Sequence, residues 1–307
     1  MAKSAFLKSS IAKKYWMALT GLFLCLFLVG HLLGNLQLLA GRTTEAALQF
    51  NKYALFMTSN PAVKVLSYLT YISIIFHAID GFALTVQNKK ARPVKYAVKN
   101  DGVSSSFSSR NMAVLGTLVL IFITTHMVNF WAKMHFDKNM PLVTKVVENP
   151  MSGVKQSQLV GTVDSQMPMF QLDESGKLSP KFFETIKAQT AGAYDLYQDG
   201  ANVVNRKDGE VVFKGYKDLY KITIEFFKSK GKLFGAIPNE GLLFTIFYIL
   251  SMGALAFHLW HGFQSTFQTL GVNNKFTPAI KTIGSVFAVV VPLLFAIIPI
   301  YIHFILK

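Results

Sequence analysis

Two stretches of the chain, FHAIDGF and FHLWHGF, place a histidine four residues before a glycine. Their histidines are His77 and His258, and two more, His31 and His126, lie near the ends of other apolar runs. Neutral imidazole has two ring nitrogens and is a common metal ligand. Ionisable groups inside apolar segments are costly and usually have a function. The four side chains therefore indicate metal or proton chemistry, against the alternative that each only hydrogen-bonds a neighbouring helix.

The elements that carry these histidines are long apolar segments. The chain has 307 residues, of which 51% are hydrophobic and 15% charged, so it is more apolar than a soluble domain of this size. A bilayer core needs about 20 mostly apolar residues per helix. Five segments meet this requirement: residues 16–39, 62–86, 111–131, 242–270 and 279–306. The sequence predicts an all-α integral membrane protein built as a bundle of five transmembrane helices.

The predicted spans divide the chain into three parts. Residues 1–135 hold helices one to three, residues 136–216 form a long insertion, and residues 217–307 hold an amphipathic helix and helices four and five. Two insertion-side stretches, KFFETIKAQTAGAYDLY and YKDLYKITIEFFKSK, have the periodicity of amphipathic helices. We expect the second of them to lie at the membrane surface and to lead into helix four.

Lysine and arginine in the short loops predict the orientation. The N-terminal tail, the loop after helix two and the loop after helix four together hold twelve of these residues, whereas the loop after helix one holds three. The N-terminus is therefore predicted to be cytoplasmic, and the C-terminus and the insertion to lie outside. The net charge of +15 is explained by topology and gives no reason to expect nucleic-acid binding.

The alternating direction of the helices sorts the histidines into two levels. His31 and His126 fall late in helices that run outwards, and His77 and His258 fall late in helices that run inwards. Haem iron takes one axial ligand from each face of its macrocycle, so each level predicts one haem held by two histidines. Such ligation leaves iron no open position and suits electron transfer. The two levels are too far apart for one four-ligand zinc or copper site.

Other residues near these histidines allow a more detailed interpretation. Gly34, Gly81 and Gly262 leave room beside a helix for a flat macrocycle, or else they serve close helix packing. His261 follows His258 and is an alternative ligand, but the two repeats align His258 with His77. The single cysteine, Cys25, excludes disulfides, a CxxCH haem attachment, a thiolate zinc site and an iron–sulfur cluster ligated by this chain alone.

Several stretches resemble a known family. SSIAKKYWMALTGLFLCLFLVGHLLGNLQLLAG, FHAIDGFALTVQNKKARPVKYAV, THMVNFW and FHLWHGFQSTFQTLGVNNKFTPAIK are similar to the di-haem cytochrome b membrane anchor of succinate dehydrogenase and fumarate reductase, in its five-helix, single-anchor form. The resemblance covers about two-thirds of the chain. It implies that His31 and His126 ligate a distal haem b, and that His77 and His258 ligate a proximal haem b. Ala256 stands where some members of the family have a glutamate used in proton transfer, so we do not predict that route.

The resemblance also implies the partners and the location. It implies a flavoprotein with FAD and an iron–sulfur subunit on the cytoplasmic face of a bacterial inner membrane, in a complex that could be dimeric, and a quinone, often menaquinone. The anchor would carry electrons for the enzyme without holding its catalytic residues. We expect Asn35, Gln37 and Glu45 near the quinone. The basic loop NKKARPVK, with Lys89 and Arg92, would dock a partner or hold proximal haem propionates, or else it only sets the topology. His261 would polarise water or haem propionates.

Two other function classes remain open at this stage. The first is a cytochrome b of another quinone-linked complex, such as the anchor of a hydrogenase or formate dehydrogenase. One histidine on each of four helices differs from the cytochrome bc pattern of two on each of two helices. The second is a non-redox transporter or scaffold in which the histidines relay protons. The sequence does not predict the direction of turnover, the quinone or the role of the insertion.

Overall fold

The structure is a computed structural model that describes residues 9–91, 106–148, 155–162, 178–233, 235–272 and 274–307. Five of its helices are long and apolar enough to cross a membrane: Ile11–Ala40, Pro61–Ala91, Met112–Phe136, Glu240–Thr269 and Thr277–Ile305. We refer to them as spans 1 to 5. They confirm the predicted five-helix, multi-pass membrane bundle. Spans 1, 2 and 3 each extend five residues beyond a predicted limit because these helices continue past their apolar centres.

Three of the spans change helix type near one end. Span 1 finishes in a 3₁₀ turn at Gln37–Ala40, span 3 contains a π-helical stretch at Met127–Ala132, and span 5 ends in another at Tyr301–Ile305. In span 3 this stretch directly follows His126. π-helical turns insert an extra residue and often occur at functional sites.

In the sequence, SNP before Ala62 and TP before Ala279 each predict a capping side chain ahead of a proline in the first helical turn. These two predicted helix starts behave differently. The Asn60 side chain accepts hydrogen bonds from the backbone N–H groups of Ala62 (2.9 Å) and Val63 (3.3 Å), so it caps span 2 ahead of Pro61 as predicted. Span 5 begins at Thr277 itself, and its cap position makes no side-chain hydrogen bond. The expected cap by this threonine is therefore wrong. Its hydroxyl accepts instead from the backbone N–H of Asn274 at 2.9 Å, which orders the preceding turn.

Span 4 lies at the centre of the bundle and packs against spans 1, 3 and 5, while span 2 packs mainly on span 1. A buried apolar cluster joins spans 1, 4 and 5 through Cys25, Met252, Leu255, Leu259 and Ala288. Burial of such side chains provides most of the packing free energy within the protein. The cysteine is thus a small core residue.

Between spans 3 and 4 the chain folds into a unit that we call the cap, the described residues of 137–216. It contains a hairpin of β1 (Thr144–Glu148) and β2 (Lys155–Leu159) and an antiparallel sheet in the order β3 (Leu196–Asp199), β4 (Asn202–Asn205), β5 (Val211–Lys214). The helix Pro180–Gln189 packs on this sheet, with Phe213 and Val203 fully buried between them. The end of the bundle that carries the cap is the cap end, and the opposite end is the loop end.

The first predicted amphipathic helix of the insertion is only partly correct. The helix ends at Gln189, and a turn with positive φ at Ala191 and Gly192 follows it. The next residues form strand β3 because Asn205 binds the turn with its side chain, accepting from the N–H of Asp195 (3.1 Å) and donating to the carbonyl of Ala193 (3.3 Å). Distant side chains therefore override the local helical periodicity.

The second amphipathic helix forms at Leu219–Lys228, and we call it the surface helix. It packs on the helix Thr44–Ser59, which connects spans 1 and 2 and which we call the linking helix. A short hairpin of β6 (Lys232–Leu233) and β7 (Ile237–Pro238) then leads into span 4.

A buried polar contact joins these two helices. The Asn51 side chain donates to Asp218 Oδ1 at 2.8 Å and accepts from the backbone N–H of Tyr220 at 3.1 Å. Burial raises the pKa of the Asp218 carboxyl, although its hydrogen bonds from the N–H of Lys221 and from Asn51 oppose the shift. The surface helix is thereby held over the cap end of spans 1 and 2.

Candidate functional site

Histidines from spans 1 and 3 face each other towards the cap end. The ring centroids of His31 and His126 are 5.8 Å apart, with the rings nearly perpendicular. Phe27 stacks on His31 from the preceding turn of the same helix, and Phe295 of span 5 lies on another side of it. We call these two histidines the cap-side pair.

Histidines from spans 2 and 4 form a second pair nearer the loop end. The ring centroids of His77 and His258 are 6.1 Å apart, with an angle of 69° between the rings. We call these two the loop-side pair. An iron atom held by two imidazoles at metal–nitrogen distances of about 2.1 Å places the ring centroids on the order of 6 Å apart. The centroid distances of both pairs are close to this value.

The separation of the two pairs can be read along the helices. On span 1, the residue that lies against His77 is Gly21, ten residues before His31. On span 4, the residue that contacts His126 is Tyr248, ten residues before His258. Ten residues of α-helix rise about 15 Å. Two helices therefore give the same spacing between the levels, which is about half of the hydrocarbon thickness of roughly 30 Å.

One continuous cavity connects the two pairs. Its volume is about 2000 Å³ and all four histidines line it. Pockets for one small ligand are usually about 300–1000 Å³, so this cavity has room for more than one large group. Its walls are mainly apolar side chains from spans 1 to 4.

The glycines predicted to leave room for a macrocycle have three different surroundings. All of them line the cavity. A β-carbon at Gly262 would meet nothing within 4 Å, and one at Gly81 would meet only Met17 Sδ at 4.0 Å. A β-carbon at Gly34 would lie 2.6–2.9 Å from the ring of Tyr53. Gly262 and Gly81 therefore leave open space beside their helices, whereas the ring of Tyr53 from the linking helix occupies the space beside Gly34.

Two further glycines lie against the histidines, and our sequence reasoning missed them. A β-carbon at Gly21 would lie 3.2 Å from His77 Cε1, and one at Gly116 would lie 3.5 Å from His258 Cε1. A signal for them exists in the sequence, because each precedes the histidine of its own span, His31 or His126, by ten residues. The spans of the cap-side pair thus provide the close contacts of the loop-side pair.

The ring nitrogens of the histidines have unequal partners. His126 Nδ1 is 3.2 Å from the Tyr248 hydroxyl, and His77 Nδ1 is 3.4 Å from the Thr20 hydroxyl. His258 Nδ1 is buried and has no hydrogen-bond partner among the described residues. A buried polar atom without a partner is costly, and its presence at the cavity wall fits a group that binds there.

The other predicted site residues are spread between the cavity and the surface. Asn35 lines the cavity, with its amide 3.5 Å from His31 Nε2, and His261 lines it while bonding Ser265 Oγ at 3.0 Å. The structure describes three other predicted site residues that do not line the cavity: Gln37, Glu45 and Lys89. The latter two are exposed at the start of the linking helix and the end of span 2. Arg92 lies outside the described residues.

At the cap end the cavity is bordered by residues that follow the cap and lead into the surface helix. Lys217 lines it and donates from Nζ to the carbonyls of Met134 (2.7 Å) and Asp137 (3.0 Å), closing the end of span 3. Burial lowers the pKa of this lysine, and the nearby Asp137 and Asp199 carboxylates oppose the shift. Tyr220 fastens the surface helix to the end of span 1 by donating its hydroxyl to the carbonyl of Gly41 at 2.6 Å.

Within the described residues, no three or more His, Cys, Asp and Glu side chains are grouped as metal ligands. A haem differs from a simple metal ion in this respect, because its macrocycle supplies four nitrogens and the protein adds only axial ligands. No family model, no curated protein and no solved structure matches the chain. The cavity and the side chains that line it are therefore the features that point to a function.

Proposed function

We propose that this chain is a di-haem cytochrome b that carries electrons across part of a membrane. The observation that carries the proposal is the arrangement of four histidines as two facing pairs, about 15 Å apart along the helices, in one cavity of about 2000 Å³. His31 and His126 would hold one haem b, and His77 and His258 would hold the other. When bound, the two haems supply one-electron transfer.

The residues of the chain contribute position and surroundings. Two histidines would hold each haem iron, so neither iron would be left open to an exchangeable ligand. The mainly apolar walls keep the polarity of the space between the pairs low. The helices also fix the distance between the two levels, because each of spans 1 and 4 contacts both of them.

The partners follow from the resemblance described above. We propose that the chain is the anchor of a succinate dehydrogenase or fumarate reductase in a bacterial inner membrane, with a flavoprotein and an iron–sulfur subunit on the cytoplasmic face. Electrons would pass between the iron–sulfur subunit and a membrane quinone such as menaquinone. The loop end, with the basic residues of the tail and of the loop after span 2, would then face the partners, and the cap would lie outside.

Haem content tests the first part of the proposal. Purified protein should show the reduced-minus-oxidised spectrum of a low-spin cytochrome b and two haems per chain. His31→Ala and His126→Ala should each lose one haem, and His77→Ala and His258→Ala should lose the other. His303→Gln is a matched control, since this histidine belongs to neither pair and binds the backbone carbonyl of Phe227 at 2.6 Å. A chain that purifies folded and colourless would contradict the proposal and favour a proton relay.

A separate experiment tests the identity of the complex. The tagged chain, extracted in mild detergent, should copurify with an iron–sulfur protein and with a flavoprotein that carries covalently bound FAD. Addition of succinate to this complex should reduce the haems of the chain. Haem reduction by hydrogen or by formate, with no response to succinate, would assign the chain to another quinone-linked complex. The di-haem proposal would survive that result.

A further inference from the structure

We infer that Tyr248 is a positioning residue for the cap-side pair and makes the two iron sites electronically different. The inference depends on the proposed di-haem function. Its starting point is the contact between the Tyr248 hydroxyl and His126 Nδ1, at 3.2 Å. The two residues are 122 positions apart and belong to spans 4 and 3.

The tyrosine ring has little freedom to move. Its side chain is buried, with 7% exposed, and its ring contacts four phenylalanines. Their ring centroids lie 5.0–6.0 Å from that of Tyr248, and the four are Phe122, Phe226, Phe227 and Phe247. Edge-to-face contacts of this kind fix a ring in the core. The hydroxyl is therefore held at one point on the wall of the cavity.

A fixed hydroxyl at this point selects one tautomer of the neutral His126 imidazole. For the imidazole to give Nε2 to a metal, Nδ1 must carry the proton, and it can then donate to the tyrosine oxygen. Partners of this type orient a ligating histidine and raise its basicity. A more basic axial ligand favours ferric iron over ferrous iron, so the contact lowers the reduction potential of the cap-side haem.

The loop-side pair has a different contact. The Thr20 hydroxyl lies 3.4 Å from His77 Nδ1, and because its own proton goes to the carbonyls of Trp16 (2.9 Å) and Met17 (3.2 Å), its oxygen can accept from Nδ1–H. His258 Nδ1 has no partner among the described residues. The two pairs therefore differ in their acceptor, which is a buried phenol at the cap side and an aliphatic hydroxyl beside the Met17 backbone at the loop side.

The test is a redox titration of the purified, haem-loaded protein, followed by difference spectra and by electron paramagnetic resonance of the ferric haems. Tyr248→Phe should keep two haems per chain and shift one midpoint potential to a more positive value. The shifted haem should be the one that His31→Ala removes. Thr20→Val is the matched control, because it also removes one hydroxyl beside a histidine, and it should leave the cap-side haem unchanged.

Two results would overturn the inference. One is a Tyr248→Phe protein with both potentials and both resonance signals unchanged, and the other is a shift confined to the haem that His77→Ala removes. If Tyr248→Phe does not assemble, 3-fluorotyrosine at position 248 keeps the ring shape and weakens the oxygen as an acceptor. It should give a smaller shift in the same direction, and no shift would again refute the inference. Unmodified protein that binds no haem would refute the proposed function instead.

Discussion

Gly21 of span 1 lies directly against His77 of span 2, so that a β-carbon on the glycine would be 3.2 Å from the imidazole Cε1. Such a distance is shorter than ordinary van der Waals contact. Interiors are packed densely enough that one added methyl group is felt by its neighbours. The glycine therefore leaves His77 the space to keep its ring towards His258.

This contact predicts the effect of a larger residue. Gly21→Val should displace His77 and lose most of the loop-side haem, while the cap-side haem is retained. Haem stoichiometry and the resonance signals of the two ferric haems measure the outcome. Gly253→Val is the control, since a β-carbon there would meet nothing within 4 Å. Equal loss of both haems in Gly21→Val would show general unfolding and contradict the local explanation.

A second prediction concerns Gly34 and Tyr53. A β-carbon at Gly34 would lie 2.6 Å from Tyr53 Cε1 and 2.7 Å from its hydroxyl oxygen, and overpacking at such a site costs about 1–3 kcal/mol. Gly34→Ala should therefore lower the thermal unfolding temperature in detergent. Gly34→Ala combined with Tyr53→Ala should recover part of the loss. Gly253→Ala should not destabilise, because alanine favours helix over glycine by up to about 1 kcal/mol.

The bundle was predictable from the sequence because each span is a long apolar run, and apolar length alone identifies a transmembrane helix. The histidine pairs were predictable because helix direction alternates and each of the four histidines lies on a different span. The glycines that touch them were harder to identify. Gly21 and Gly116 contact the loop-side pair, but each lies on a span that carries a cap-side histidine. Recognising them therefore requires the distance between the two levels, which the sequence of a single helix does not reveal.

The cap was less predictable, for physical reasons. Asn205 is nearly fully buried and accepts from the N–H of Asp195, and this contact between residues ten positions apart ends a helix that local periodicity favours. Tyr53 was missed for a similar reason. Its contact with Gly34 depends on how the linking helix folds back, and no spacing within span 1 indicates that.

A third prediction concerns the hydrogen bond between spans 2 and 3. Trp131 Nε1 donates to the Tyr71 hydroxyl at 2.7 Å, and both side chains are half-buried beside the cavity. Tyr71→Phe leaves the indole N–H without this acceptor, which costs about 1–3 kcal/mol for a buried group. We expect a lower unfolding temperature with both haems retained.

A double-mutant cycle separates the hydrogen bond from the ring packing. Trp131→Phe removes the donor, and Tyr71→Phe in that background should cost much less than in the unchanged protein, because no unpaired N–H remains. Equal costs in the two backgrounds would show that the hydroxyl contributes nothing through Trp131.

The last prediction uses the buried carboxyl of Asp218. Burial raises its pKa above the usual value, which for an aspartate is about 4. A group with a raised pKa in the folded state binds protons more readily there than in the unfolded state. Its contribution to stability is therefore complete below the usual pKa and is lost as the pH rises through the raised one.

The hydrogen bonds explain why protonation is tolerated. Two hydrogen-bond donors reach the carboxyl, Asn51 Nδ2 at 2.8 Å and the N–H of Lys221 at 2.9 Å, and each of them binds Oδ1. A proton on Oδ2 leaves both of them intact. Asp218→Asn keeps an oxygen acceptor at this helix start and removes the titration, and asparagine is as good a cap as aspartate.

We therefore expect the unfolding temperature of the unchanged protein, relative to Asp218→Asn, to fall as the pH rises from about 4 through the raised pKa, and then to level off. Thermal unfolding in detergent across this range measures it. Glu225→Gln on the same helix is the control, since its side chain is 60% exposed and should show no such pH-dependent difference. A difference that grows in favour of aspartate at higher pH would mean that hydrogen bonding to the charged carboxylate outweighs its burial, and that the linking and surface helices are joined most strongly when Asp218 is ionised.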